Sequence, residues 1–244
     1  MVEPAERMFR GFHERQQDKT EVDAARDELA DAVREINHLV VRGAADVVHL
    51  RNAAQTIRDI AANLNDKVPT ESYGNLAGMS DHVSGVAGRT SFLDRSPISG
   101  SMNPLAAPMR MYIQHADPDQ GIEGTVTGRV TFDLAYEGPP GCVHGGFVAA
   151  AFDEVLGQVQ AMTGEPGMTG ELVVRYKSPT PLHVELVCTG RVVKVEGRKI
   201  YTHATLMVGD RLCAESEGLF ISMNKEVFAR LLRIRSGEAG DDAQ

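Results

Sequence analysis

The sequence predicts an α+β fold: an antiparallel sheet of five to six strands wrapped around one central helix, with a helical extension in front of it. Three observations carry this. Between Thr20 and Leu64 apolar residues recur at steps of three and four. From Gly124 to Met223 the dominant period is two. Between the first and second of those β-like segments, a run beginning at Gly146 is apolar on nearly every side of a helical wheel.

The extension reads as two helices. Val22, Ala25, Leu29, Val33, Ile36 and Leu39 form one stripe; after Gly43, a second runs through Val47, Leu50, Ala54, Ile57, Ala61 and Leu64. Thr20 with Asp23 resembles a capping box, with Asp in place of the preferred Glu or Gln. The opposite faces are charged, so each narrow stripe needs a partner; a helical hairpin, or helices that pair with another subunit, fits. Residues 67–94 bring Gly, Ser, Asn and Pro at close intervals and read as a linker. The expected organisation is therefore an extension over 1–66, a linker over 67–94, a sheet domain over 95–235 and a frayed acidic tail over 236–244.

Each β-like segment has its own signal. Val126, Gly128, Val130, Phe132 and Leu134 alternate with polar residues, and Leu172, Val174 and Tyr176 alternate in the same way with Glu171, Val173 and Arg175. Three further segments, Val184–Lys194, Lys199–Val208 and Arg211–Met223, are joined by turns at Glu196-Gly197 and Gly209-Asp210. The expected order is one strand, the apolar helix, then four strands in an antiparallel meander, closed by a short helix at Lys225–Leu232. In the apolar helix Phe147, Val148, Ala151, Phe152, Val155, Leu156 and Val159 leave no polar face, so the sheet should surround it. This is the hotdog arrangement.

Composition excludes several functions. A chain of 244 residues with 42% apolar content can bury an ordinary core. Its net charge of −9 disfavours nucleic acid as a partner. Three cysteines, spread from Cys142 to Cys213, make no disulfide framework and point to a reducing, cytoplasmic setting. The longest apolar run, Phe147 to Phe152, is far short of the roughly 20 residues of a membrane span, so no membrane partner is expected. Histidines are scattered without ligand spacing and no Gly-rich phosphate loop follows a strand, so neither metal nor cofactor is expected.

Chemistry concentrates in Gly138-Pro139-Pro140-Gly141-Cys142-Val143-His144-Gly145-Gly146, which runs into the apolar helix with Asp153 nine positions after the His. This stretch resembles the hotdog-fold acyl-CoA thioesterase superfamily, most closely the phenylacetate-degradation type and the human thioesterase-superfamily-member proteins. Val173-Val174-Arg175-Tyr176-Lys177-Ser178-Pro179, Lys194-Val195-Glu196-Gly197-Arg198-Lys199 and Ala214-Glu215-Ser216-Glu217-Gly218-Leu219-Phe220 support it in the same order. The resemblance covers roughly residues 95 to 225 and implies hydrolysis of acyl-CoA thioesters, with CoA present only as part of the substrate.

It also implies a set of site residues. Gly145 matches the backbone oxyanion donor, and the first turn of a helix does leave N–H groups unpaired at its positive end. Asp153 matches the base or nucleophile, and burial on an apolar helix should desolvate it. Thr169 matches a Ser or Thr near that acid, to hold water or orient Asp153. His144 belongs to the site without base duty, and Gly146 leaves room for the substrate. Glu154 reads as structural, the partner of an Arg beneath the sheet. Relatives place an Asn or Gln ahead of the Gly-Gly as a second oxyanion donor; residues 137–143 contain neither, which leaves His144 to supply one. Arg175, Lys177, Lys194, Arg198 and Lys199 are the candidates for the CoA phosphates.

Spacing adds a constraint. Gly145 and Asp153 stand eight residues apart on one helix, about 12 Å along its axis, so they cannot touch the same carbonyl. If both act, each site draws one of them from a second subunit, in a homodimer or homotetramer. The alternative is a non-catalytic acyl-thioester-binding or scaffold protein working through its helical N-terminus. Cys142 beside His144 has no third partner for nucleophilic catalysis and reads as a small packing residue.

Overall fold

The computed structural model describes residues 19–43, 45–67, 92–121, 123–164 and 167–223. Most of the linker, the helix expected at Lys225–Leu232 and the acidic tail lie outside the described residues.

Helix α1 spans Glu21–Arg42 and starts as read: the Thr20 hydroxyl accepts the Asp23 N–H at 3.2 Å, and the Asp23 carboxylate accepts the Thr20 N–H at 3.1 Å. It ends at Gly43, whose φ of 59° few other residues adopt without cost. Helix α2 spans Val47–Asn65, capped by Asp46. The two form no hairpin, for they do not pack along their lengths. Nor does the apolar stripe of α1 face the body. α1 docks instead through Asp23, Ala30 and Arg34, while Val22, Leu29, Ile36 and Leu39 stay exposed. The reason lies in hydrogen bonds: the buried Arg34 guanidinium donates to the carbonyl oxygens of Ser101 and Asn103, each at 2.8 Å. α2 buries none of its residues.

The body begins earlier than the expected linker boundary. Phe92–Arg95 is a 3₁₀ turn with Leu93 and Asp94 buried. One six-stranded antiparallel sheet follows: β1 Arg110–Gln114, β2 Thr125–Thr131, β3 Gly167–Tyr176, β4 Glu185–Glu196, β5 Lys199–Val208 and β6 Arg211–Ser222, in the order β1-β2-β4-β5-β6-β3. β1 was not anticipated. The later strands also differ from a plain meander: β4, β5 and β6 are consecutive hairpins, but β3 pairs β6 at the far edge. Helix α3, Gly145–Ala161, causes this by carrying the chain across the sheet between β2 and β3.

α3 lies on one face of that sheet. Phe152, Val155, Leu156 and Val159 are fully buried against Val126, Leu186, Ile200, Leu206 and Phe220, and each such side chain contributes about 1.5–3 kcal/mol. Two glycines let the helix approach: a Cβ at Gly128 would stand 2.9 Å from a Val155 methyl, and one at Gly190 2.9 Å from a Val159 methyl. The sheet curls around the helix in the hotdog arrangement that the sequence predicts, but not completely. Gly146 and Asp153 are exposed, on a face that the single chain leaves open.

Candidate functional site

The loop before α3 is built to hold its first residue. The Gly138 N–H donates to the Cys142 carbonyl at 2.9 Å, and the Glu137 carboxylate accepts the Gly141 N–H at 2.6 Å. The His144 N–H donates to the Tyr136 carbonyl at 2.8 Å. Tyr136 is buried, and its ring stands edge-on to Phe147 in the first turn of α3, centroids 4.9 Å apart. Burial pushes the Tyr136 phenol up to about 12.

The four N–H groups that open α3 are not equivalent. His144 is the N-cap; its Nδ1 accepts the Gly146 N–H at 3.0 Å. The Phe147 and Val148 N–H groups donate to the His144 carbonyl, at 2.9 and 3.3 Å. The Gly145 N–H has no acceptor among the described residues. Because Nδ1 accepts, the neutral His144 ring carries its proton on Nε2, as a further donor on an exposed side chain.

Two turns along α3, Asp153 accepts the Thr169 hydroxyl at 2.8 Å. The contact joins α3 to β3. The desolvation expected of Asp153 is absent in the single chain, where the residue is exposed. Glu154 is anchored elsewhere: it accepts the Ser99 hydroxyl, so among the described residues its partner is a loop serine and not an Arg.

Tyr176 escaped the sequence reading. Its place in the alternation with Leu172 and Val174 marks it as a core residue, yet it ends β3 and is 55% exposed. Its hydroxyl donates to the Gly145 carbonyl at 2.7 Å, and a Cβ on Gly145 would sit 3.3 Å from that oxygen. The only signal in the sequence is its position seven residues after Thr169 on the same strand.

The five basic residues do not form one cluster. Arg175 pairs with Glu217 at 3.1 Å and Lys177 with Glu215 at 2.8 Å, near the Gly145 end. The Lys177 hydrogen bond holds the Glu215 carboxyl below its usual range. Lys194, Arg198 and Lys199 lie at the β4–β5 turn, where Lys194 pairs with Glu196 at 2.9 Å and Arg198 donates to the Ser222 carbonyl at 3.0 Å. Arg175 pairs in register with Glu215 and Lys199 with Ile221, six residues along β6, so the groups are roughly 20 Å apart. The second group sits near Thr169, which pairs Phe220 on the same strand. Cys142 is half-buried and bridges Pro181, in keeping with a packing role. Among the described residues no group of His, Cys, Asp and Glu could hold a metal, and no helix is long and apolar enough to cross a membrane.

Comparison with known proteins gives the family. A family model described as "Thioesterase superfamily" matches residues 140–215. The acyl-coenzyme A thioesterase THEM4 of Xenopus laevis is 37% identical over 89 residues, 36% of this chain and 40% of that protein. THEM5 of Homo sapiens, also named an acyl-coenzyme A thioesterase, is 33% identical over 92 residues, 37% of each chain. The chain thus spans about 40% of the length of the first of these curated relatives. A crystal structure of a thioesterase superfamily protein superposes with a TM-score of 0.64 at 32% identity, over 80% of this chain and 94% of that one. The chain belongs to the thioesterase superfamily.

Proposed function

We propose that the protein hydrolyses acyl-CoA thioesters to a free carboxylic acid and CoA, as the names of its relatives say of them. The observation that carries this reading is the pairing of Thr169 with Asp153 on the open face of a helix whose first N–H, that of Gly145, has no acceptor among the described residues. An exposed acid oriented by a hydroxyl is accessible to a substrate, which a packing role would not require.

The chemistry follows from where charge develops. The thioester carbonyl oxygen becomes an oxyanion during attack, and the Gly145 N–H receives it at the positive end of α3. The His144 Nε2–H is the second donor. Asp153 acts as base towards water or as direct nucleophile. In the first case water adds to the carbonyl carbon and Asp153 takes its proton; the intermediate then expels the CoA thiolate, which is reprotonated. Thr169 orients the Asp153 carboxylate for either route. Gly146, with no side chain, leaves the approach open.

Gly145 and Asp153 belong to different sites in this reading. They stand about 12 Å apart on α3, so a two-fold pair of chains with antiparallel α3 helices would bring Gly145 of one copy to Asp153 of the other. The exposed face of α3 and the free edge of β3 suit such a pairing, in a homodimer or a doubled tetramer. The second copy would also supply the desolvation that the single chain lacks. Arg175 and Lys177 are committed to glutamates across the strand, so Arg198 and Lys199, near the Asp153 end, are the first candidates for the CoA phosphates. The three free cysteines support a reducing, cytoplasmic setting.

The test is direct. Purified protein is offered acyl-CoAs from acetyl to palmitoyl and aromatic ones, and thiol release is followed for wild type and Asp153→Asn. Turnover that falls about 100-fold or more in the variant supports the reading. No turnover on any substrate, or equal turnover by both proteins, rejects it.

A further inference from the structure

We propose that α1 of one copy and α2 of a second copy of this chain pair side by side, pointing the same way, as a two-stranded coiled coil. The proposal stands apart from the thioester chemistry and rests on the helical extension alone.

Both helices present a heptad seam to solvent. On α1, Val22, Leu29 and Ile36 recur every seven residues, with Ala25, Ala32 and Leu39 between them; on α2, Val47, Ala54 and Ala61 alternate with Leu50, Ile57 and Leu64. The large members of both seams are exposed, because α1 docks through its polar face and α2 buries nothing. Most of the stability of a helix in a protein comes from packing its amphipathic face, and α2 has that packing nowhere among the described residues of its own chain.

What covers it is written in the two seams. Laid parallel with Val22 beside Val47, Ala25 faces Leu50, Leu29 faces Ala54, Ala32 faces Ile57 and Ile36 faces Ala61. Every alanine meets a large side chain, so the layers fill evenly. Laid antiparallel, Ala32 faces Ala54 and Ala25 faces Ala61, while Ile36 meets Leu50 and Leu29 meets Ile57; thin and thick layers then alternate and leave voids. Pairing α2 with another α2 in parallel stacks Ala54 and Ala61 on themselves and is no better.

Charge gives the same answer. Glu21, Glu28 and Glu35 flank the α1 seam at the g positions, and Arg51 and Arg58 flank the α2 seam at the e positions. In a parallel pair a g residue meets an e residue of the partner, which puts Glu21 beside Arg51 and Glu28 beside Arg58. In an antiparallel pair like flanks meet, and these glutamates miss the arginines.

The connection then forces the second copy. α1 ends at Arg42 and α2 starts at Val47, and so short a loop joins antiparallel neighbours, never parallel ones lying side by side. The complement to each seam is carried by the chain itself but is reached only in another molecule. Two-fold symmetry makes the exchange mutual, each α1 taking the partner's α2.

Site-directed crosslinking of the full-length chain tests this. Ala32→Cys and Ile57→Cys are made separately in a Cys142→Ala background, co-expressed with different tags, and oxidised. A covalent dimer joining the two different chains, with little between identical ones, is the expected result. Bonds between two Ala32→Cys chains or two Ile57→Cys chains, the absence of any bond, or a doubly substituted chain that closes within itself and runs as a monomer would each overturn the proposal.

Discussion

The Tyr176 hydroxyl donates to the Gly145 carbonyl at 2.7 Å, tying the last residue of β3 to the first residue of α3. The same strand carries Thr169, whose hydroxyl holds Asp153. One edge strand therefore holds both of the proposed half-sites, and the two hydroxyls lie seven residues apart along it. The Gly145–Gly146 peptide is pinned at both ends, by Tyr176 on its carbonyl and by His144 on its N–H. That leaves the preceding N–H, of Gly145, with no acceptor among the described residues.

Tyr176→Phe removes one exposed hydroxyl and keeps the ring. Losing a single hydrogen bond that aims a transition-state donor should lower kcat about three- to tenfold. KM should change less than twofold and the melting temperature hardly at all. Steady-state kinetics with a thermal melt checks this; a higher KM at unchanged kcat would assign Tyr176 to substrate binding instead.

Thr169→Ala should lower kcat about tenfold by freeing the Asp153 carboxylate, and Thr169→Ser should restore most of it because Ser keeps the donor. Val at this position, which matches Thr in shape without the hydroxyl, should behave like Ala. Equal activity in the Ser and Val variants would show that only bulk matters there.

Tyr136 gives a pH signature. Its phenol is raised by burial from the ordinary value near 10 to about 12, so the folded protein keeps a proton that the unfolded chain releases. The stability this group supplies is fully present below pH 10 and is lost as pH rises towards 12, by about 1.4 kcal/mol per pH unit. Denaturant melts of wild type and Tyr136→Phe between pH 9 and about 11.5 should converge as pH rises. Parallel curves would show that Tyr136 ionises normally.

The legible parts were those set by local rules. The Thr20–Asp23 cap, the helix start at Gly145, the β5 and β6 strands and the Thr169–Asp153 contact all follow from near neighbours or a recognisable motif. What could not be read depends on distant partners. β1, only Arg110–Gln114, has little alternation of its own and exists because β2 offers it an edge. β3 reaches the far edge because of where α3 crosses, which no local pattern encodes. The face α1 buries is its polar one: Arg34 finds two carbonyls in the 101–103 loop, and hydropathy alone counts such a residue as solvent-facing. Asp153 was expected inside and stands outside in the single chain, since an apolar helix can be finished by a second molecule as well as by its own sheet.

The central claim is that each site takes Gly145 from one chain and Asp153 from another, and mixed dimers test it most directly. One chain carries Asp153→Asn; the other is disabled at the oxyanion end by His144→Ala with Gly145→Ala, and each parent is first shown to be inactive. Mixed dimers isolated through two different tags should regain about half of wild-type kcat, because one of their two sites is then assembled from intact halves. Mixed dimers as inactive as both parents would mean that each site lies within a single chain, and would contradict the account.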